Sequence, residues 1–122
     1  MMKEYLTKEQ KKMIPLYRYN LEWSDEDQLF VVSVEELEGC MSHGKTPEEA
    51  IKMGFEAVES HLEGMAKDKE ELPLPLSRQK FKGEFLVRAE PQLHKQLVIK
   101  SKKAGYKTLN KFLVAELTKI AK

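Results

Sequence analysis

From Tyr17 to Trp23 apolar and polar side chains alternate, with Tyr17, Tyr19, Leu21 and Trp23 separated by Arg18, Asn20 and Glu22, the period of a strand with one wet face. "SDEDQ" (Ser24 to Gln28) reads as a turn, and the β-branched and aromatic run Leu29 to Val34 as a central strand. "EELEG" then returns the chain into a weaker third strand around Cys40 to His43. At "TPEEA" the period changes. Thr46 is placed to cap a helix, Pro47 suits its first position, and Glu49 stands three residues on to complete a capping box. Ala50, Ile51, Gly54, Phe55, Val58, His61, Leu62 and Met65 form one stripe of that helix, which can cover a face of the sheet.

The helical pattern fades near Lys67 to Glu71, and "LPLPL" (Leu72 to Leu76) cannot be helical, since each proline also restricts the residue before it. It reads as a stiff linker. Beyond it, "GEFLVRAEP" (Gly83 to Pro91) alternates Phe85, Val87 and Ala89 with Glu84, Leu86 and Arg88, a strand with no second strand downstream to pair with. Leu93, Leu97, Val98, Ser101 and Ala104 then recur at helical spacing up to Gly105, and Thr108 caps a last helix with the seam Leu109, Phe112, Leu113, Leu117 and Ile120.

These patterns divide the chain into a polar segment (1–15) that is a tail or short helix, a β–α domain (16–71), a Pro-rich linker (72–79) and a strand–helix–helix module (80–122). The fold class is α+β. Charge sharpens the division: the formal net charge is only +1, but Asn20 to Leu72 holds fifteen acidic residues against four basic ones, and Gln79 to Lys122 eleven Lys/Arg against three Glu. Either the modules serve different partners, the basic one a candidate for phosphate backbones, or the two halves attract each other. No stretch approaches the roughly 18 apolar residues of a membrane span, and with no apolar signal core at the start a cytoplasmic location is expected.

About forty residues without a disulfide or metal rarely close a core alone, so the last module is expected to be a homodimer. If the strand pairs antiparallel with its copy, Phe85, Val87 and Ala89 form the dimer core, and Glu84, Leu86 and Arg88 repeat on the open face of a two-stranded ribbon that fits the DNA major groove. Arg88 is the leading candidate for a base or phosphate contact. Thr108, Leu109 and Asn110 open the last helix, whose free amides can hold a phosphate. Lys82, Lys102, Lys103, Lys107 and Lys111 add general attraction to a phosphate backbone.

Phe85 to Leu117 resembles the ribbon–helix–helix DNA-binding domain, and Asp25 to Met65, with "ELEGC", "GKTPEEA" and an acidic helix, is similar to the HicB domain. The chain thus resembles HicB-type antitoxins of type II toxin–antitoxin systems. The resemblance implies a partial ribonuclease-H-like N-terminal domain that blocks a small HicA-like RNA-cleaving toxin, and a C-terminal domain that holds operator DNA as a dimer to repress its own operon. Pairing of the N-terminal domains as well would make a tetramer. The resemblance departs at Leu86, where the family usually carries a polar residue that hydrogen-bonds bases. The alternative function is a stand-alone HicB-fold interaction protein without a toxin or specific DNA.

Candidate chemistry adds little. Glu56, Glu59 and Glu63 are candidate toxin contacts on an acidic helix face. His43, His61 and His94 lack metal-ligand spacing and read as structural, and no cofactor or metal is expected. Cys40 reads as a small buried hydrophobe. Asp25, Glu26 and Asp27 are adjacent on a turn, whereas two-metal catalysis needs carboxylates converging from separate elements, so no enzymatic activity is expected.

Overall fold

The computed structural model describes residues 4–122, so the first three residues of the polar segment lie outside the described residues. It divides into two units, one ending at Phe81 and one from Lys82 to Lys122.

In the first unit Thr7 caps a short helix α1 (Lys8–Met13) in a reciprocal box: Thr7 Oγ1 accepts from the Gln10 amide at 3.1 Å, and Gln10 Oε1 from the Thr7 amide at 2.8 Å. A 3-10 turn over Ile14–Leu16 follows. Leu6 and Ile14 are buried in the main hydrophobic cluster, so the segment set aside as polar supplies two core side chains. The mostly charged sequence around them hides this, because two apolar residues eight apart carry no period.

Three strands, β1 (Tyr19–Ser24), β2 (Leu29–Val34) and β3 (Met41–Gly44), form an antiparallel sheet in the order β1-β2-β3. The register sets Tyr19 opposite Val34, Leu21 opposite Val32 and Trp23 opposite Phe30, so these six share one face. Asn20, Glu22, Ser33, Val31, Met41 and His43 share the other. The β1–β2 turn closes on a Gln28 amide bond to the Ser24 carbonyl at 2.8 Å.

Helix α2 (Pro47–Lys67) starts where Thr46 Oγ1 accepts from the Glu49 amide at 3.1 Å. The expected box is shifted by one residue, since Glu49 Oε2 accepts from the amide of Lys45 rather than of Thr46, at 3.2 Å. Ala50, Gly54, Val58 and Leu62 are buried at four-residue spacing. Helix and sheet meet closely at two glycines. A Cβ on Gly44 would lie 2.4 Å from the Ala50 nitrogen, and one on Gly54 would lie 3.0 Å from Val32 Cγ1. Tyr17, Val34, Leu37, Cys40, Val58 and Leu62 complete the cluster with Leu6 and Ile14.

The Pro-rich stretch packs against this unit. Pro75 is fully buried, the Tyr17 hydroxyl donates to the Pro73 carbonyl, and Glu36 Oε2 accepts from the Leu76 amide at 2.8 Å. The same carboxylate accepts from the Arg18 amide, at 3.0 and 3.1 Å to its two oxygens. Glu36 therefore fastens the stretch after α2 to the start of β1.

The second unit is α3 (Pro91–Lys103) and α4 (Leu109–Ala121). Gly105, at φ 85, closes α3 in a Schellman arrangement: its amide donates to the Lys102 carbonyl at 3.0 Å, and the Tyr106 amide to the Ser101 carbonyl at 3.1 Å. Thr108 Oγ1 caps α4 by accepting from the Lys111 amide at 3.2 Å. Tyr106 meets Phe112 edge to face at 5.4 Å. Phe112 is the unit's one buried apolar side chain among the described residues. Residues 84–90 form no helix and no strand within the chain. This differs from the strand predicted there, because a ladder needs a second backbone and a single chain supplies none.

Candidate protein and nucleic-acid interfaces

The alternation in "GEFLVRAEP" separates two sets of side chains, yet in the single chain both are in water. Phe85, Leu86 and Val87 are 76%, 78% and 71% exposed, and Glu84, Arg88 and Ala89 are exposed as well. Leu93, Ile99, Val114, Leu117 and Ile120 add further exposed apolar surface on α3 and α4. Contiguous exposed hydrocarbon of this extent, beside one buried aromatic, is the kind of surface that marks interaction sites.

At the start of α4, Thr108 and Asn110 are exposed and Leu109 is half-buried. The Lys111 amide is used by Thr108 Oγ1 and the Phe112 amide by the Thr108 carbonyl. Those of Leu109 and Asn110 meet no acceptor among the described residues, which leaves two donors at the positive end of the helix dipole. Lys102, Lys103, Lys107 and Lys111 are exposed around the same connection. The arrangement can attract and hold a phosphate group, though no reacting group stands beside it.

The first unit has the opposite potential. Tyr19 through Gly44 holds seven carboxylates and neither Lys nor Arg. The three ion pairs among the described residues, Lys11–Glu4, Lys12–Glu9 and Lys119–Glu116, involve none of the seven. On α2, Glu56 is exposed and Glu59 and Glu63 are half-buried; helical spacing sets Glu56 opposite the buried stripe and Glu59 on its flank. They share neither a face nor an element with the sheet carboxylates. The sheet face away from α2 carries a shallow concavity of about 420 Å³ lined by Asp27, Leu29, Val31, Met41, Ser42 and His43.

Sequence reasoning passed over Trp23. Its alternation with Tyr19 placed it among the covered residues, but it lies at the hairpin end of the sheet and is 47% exposed. The indole stacks edge to face on Phe30 at 5.0 Å, and its Nε1–H donates to Asp25 Oδ1 at 2.8 Å. The signal was a large aromatic two residues before the acidic run Asp25, Glu26 and Asp27. Glu36 was equally silent, because its role depends on backbone amides 18 and 40 residues away.

The groups with displaced pKa values belong to the core. Burial, with a smaller contribution from Glu36, pushes the Tyr17 hydroxyl above its usual range, and burial also raises Tyr19, whose hydroxyl donates to the Ile14 carbonyl at 2.6 Å. Burial pushes the Cys40 thiol up, which disfavours the thiolate a nucleophile requires. Among the described residues no cluster of three or more His, Cys, Asp or Glu could hold a metal ion. No helix among them is long and apolar enough to cross a membrane.

Comparison with known proteins supplies a context for this pair of surfaces. Residues 68–117 match the HicB family. A stretch of 44 residues is 50% identical to a 14.9 kDa protein from the rep–hol intergenic region of Haemophilus phage HP1, and 49 residues are 41% identical to a UPF0150 protein of Thermoplasma acidophilum. The matches span 36% and 40% of this chain, and 33% of the phage protein and 71% of the archaeal one. Residues 17–86, which run from the first buried tyrosine through the sheet, α2 and the Pro-rich stretch, match the HicB_like antitoxin of bacterial toxin–antitoxin systems, and by that match over more than half its length the chain belongs to the HicB-like antitoxin family.

Proposed function

We propose that this protein neutralises a HicA-like, mRNA-cleaving toxin through its N-terminal unit and represses its own operon by binding operator DNA as a homodimer through its C-terminal unit. Membership of the antitoxin family carries the first part. The uncompensated carboxylates of the first unit support it, since a basic RNA-binding toxin is steered toward such a surface. Occlusion of the toxin needs no chemical step from this chain. Glu56, Glu59 and Glu63 are assigned an accessory, long-range part in attraction.

For the second part, the exposed Phe85, Val87 and Ala89 are proposed as the centre of an antiparallel ribbon shared by two chains. That pairing would satisfy the free backbone edge and give the helices a common core, in a ribbon–helix–helix fold. Arg88 then faces the major groove, flanked by Glu84 and Leu86, while the amides at Thr108, Leu109 and Asn110 hold backbone phosphates. Pairing of the N-terminal units would extend the dimer to a tetramer, and the reducing cytoplasm is the proposed location.

Co-expression with the toxin encoded beside it tests the first part: a stable complex and restored growth are expected, and a toxin left unbound and active would refute it. For the second, Arg88→Ala is expected to weaken binding to the protein's own promoter by about 1–3 kcal/mol. Undiminished promoter binding by that variant would remove the ribbon assignment. A second reading, an interaction protein of the same fold without toxin or specific DNA, is favoured by Leu86, which offers no hydrogen bond to a base. It predicts promoter binding no tighter than binding to random DNA of equal length.

A further inference from the structure

The first unit carries a surface that combines an aromatic anchor with unbalanced charge. Leu21 and Trp23 are exposed on the β1 side of the face that α2 covers, since α2 packs at this end on Gly44 of β3 and reaches β1 only at Tyr19, beside Gly54. Trp23 is held in one pose, by the Phe30 ring on one side and by Asp25 through its indole N–H. A large side chain fixed before binding loses little rotamer freedom when a partner covers it, and tryptophan is over-represented among residues that dominate binding energy. Beside it runs the turn Asp25, Glu26 and Asp27, shaped by mutual bonds of Ser24 and Asp27: Ser24 Oγ donates to Asp27 Oδ2 at 3.2 Å and accepts from the Asp27 amide at 3.2 Å.

None of these carboxylates has a cationic partner among the described residues, and no Lys or Arg occurs from Tyr19 to Gly44. A protein surface with an apolar centre and an acidic rim is complementary to one with an apolar pocket and a basic rim. A second copy of the same hairpin would bring like charges together, which disfavours self-association through it.

We infer that the β1–β2 hairpin, with Trp23 as anchor and Asp25, Glu26 and Asp27 as rim, is the docking surface for the cationic toxin. This rests on the antitoxin reading and adds to it the place and the chemistry of contact. The acidic turn steers the encounter and the indole, seated in an apolar recess, sets the lifetime of the complex.

The test measures association and dissociation rates of the toxin with the full chain, its Trp23→Ala variant and its Asp25→Asn/Glu26→Gln/Asp27→Asn variant. Trp23→Ala is expected to weaken the complex about 30-fold or more, mainly through faster dissociation. The triple variant, which keeps a side-chain oxygen at positions 25 and 27 to accept from Trp23 Nε1–H and Ser24 Oγ and so removes only charge, is expected to slow association about tenfold at low salt and little at high salt. Toxin binding by both variants within about twofold of the parent would overturn the surface while leaving the antitoxin reading intact. A parent chain that binds no toxin would overturn both. If Trp23→Ala instead alters the chain's own oligomeric state while toxin binding persists, the hairpin belongs to a self-interface and the inference fails.

Discussion

Single side chains in this protein hold segments that are distant in sequence, and Tyr17 and Glu36 do so together. Glu36 accepts from the amides of Arg18 and Leu76, and Tyr17 donates to Pro73, so two side chains tie the Pro-rich stretch to the strand that begins the sheet. Glu36→Ala is expected to cost about 1–2 kcal/mol in urea unfolding, because two amides lose their acceptor. Faster hydrogen exchange at Leu76 would accompany it; unchanged exchange there would argue against the tie. Alkaline pH acts on the same residues. The folded state raises the pKa of Tyr17 and Tyr19 above the ordinary value of 10.0, so it holds these protons more tightly than the unfolded chain. The sign follows: their contribution is fully present below pH 10 and is lost as pH rises through the folded values. Chemical denaturation between pH 8 and about 11.5 is expected to show a decline that starts near the unfolded tyrosine pKa, and Tyr17→Phe should make that decline shallower.

At the scale of elements, helix α2 and strand β3 approach so closely that Gly44 has backbone where a Cβ would go. Gly44→Ala is expected to destabilise the first unit by about 1–3 kcal/mol, seen as a lower unfolding midpoint, because the strand must shift away from the helix. Gly105→Ala works by a different route. It forces a residue with a Cβ into the left-handed conformation that ends α3, at a cost of about 1 kcal/mol, and thermal unfolding of the second unit reports it. Much at this scale was legible in advance. Period two gave the three strands, "TPEEA" marked the start of α2, and Gly105 and Thr108 bracketed the turn between the last helices. Three details were not legible, each for a physical reason. Gln10 completes a cap in a stretch that looked merely polar. Glu49 reaches the amide of Lys45 instead of Thr46, a choice made by backbone path. The segment 84–90 has no ladder in one chain, because alternation marks a backbone able to pair but does not say what it pairs with.

For the molecule as a whole, the "LPLPL" stretch has the composition of a free linker but is fastened to the first unit, which moves the boundary between the units to Phe81 and Lys82. A fragment ending at Phe81 is therefore expected to fold and unfold cooperatively, and one ending at Glu71 to be less stable, since it lacks buried Pro75 and the donor at Leu76. Circular dichroism on heating distinguishes the two; equal midpoints would return the stretch to the role of linker. The candidate surfaces were legible as charge, acidic before and basic after the prolines, but not as shape, because the exposure of Trp23 depends on where α2 stops covering the sheet. The bare segment from Lys82 to Glu90 has a further consequence. Proteases cut solvated backbone outside helices and sheets first, and residues 84–90 offer just that in a single chain. If pairing with a copy removes this segment from their reach, dilution shortens the survival of each molecule and abundance lengthens it, so the protein's turnover becomes a readout of how much of it is present.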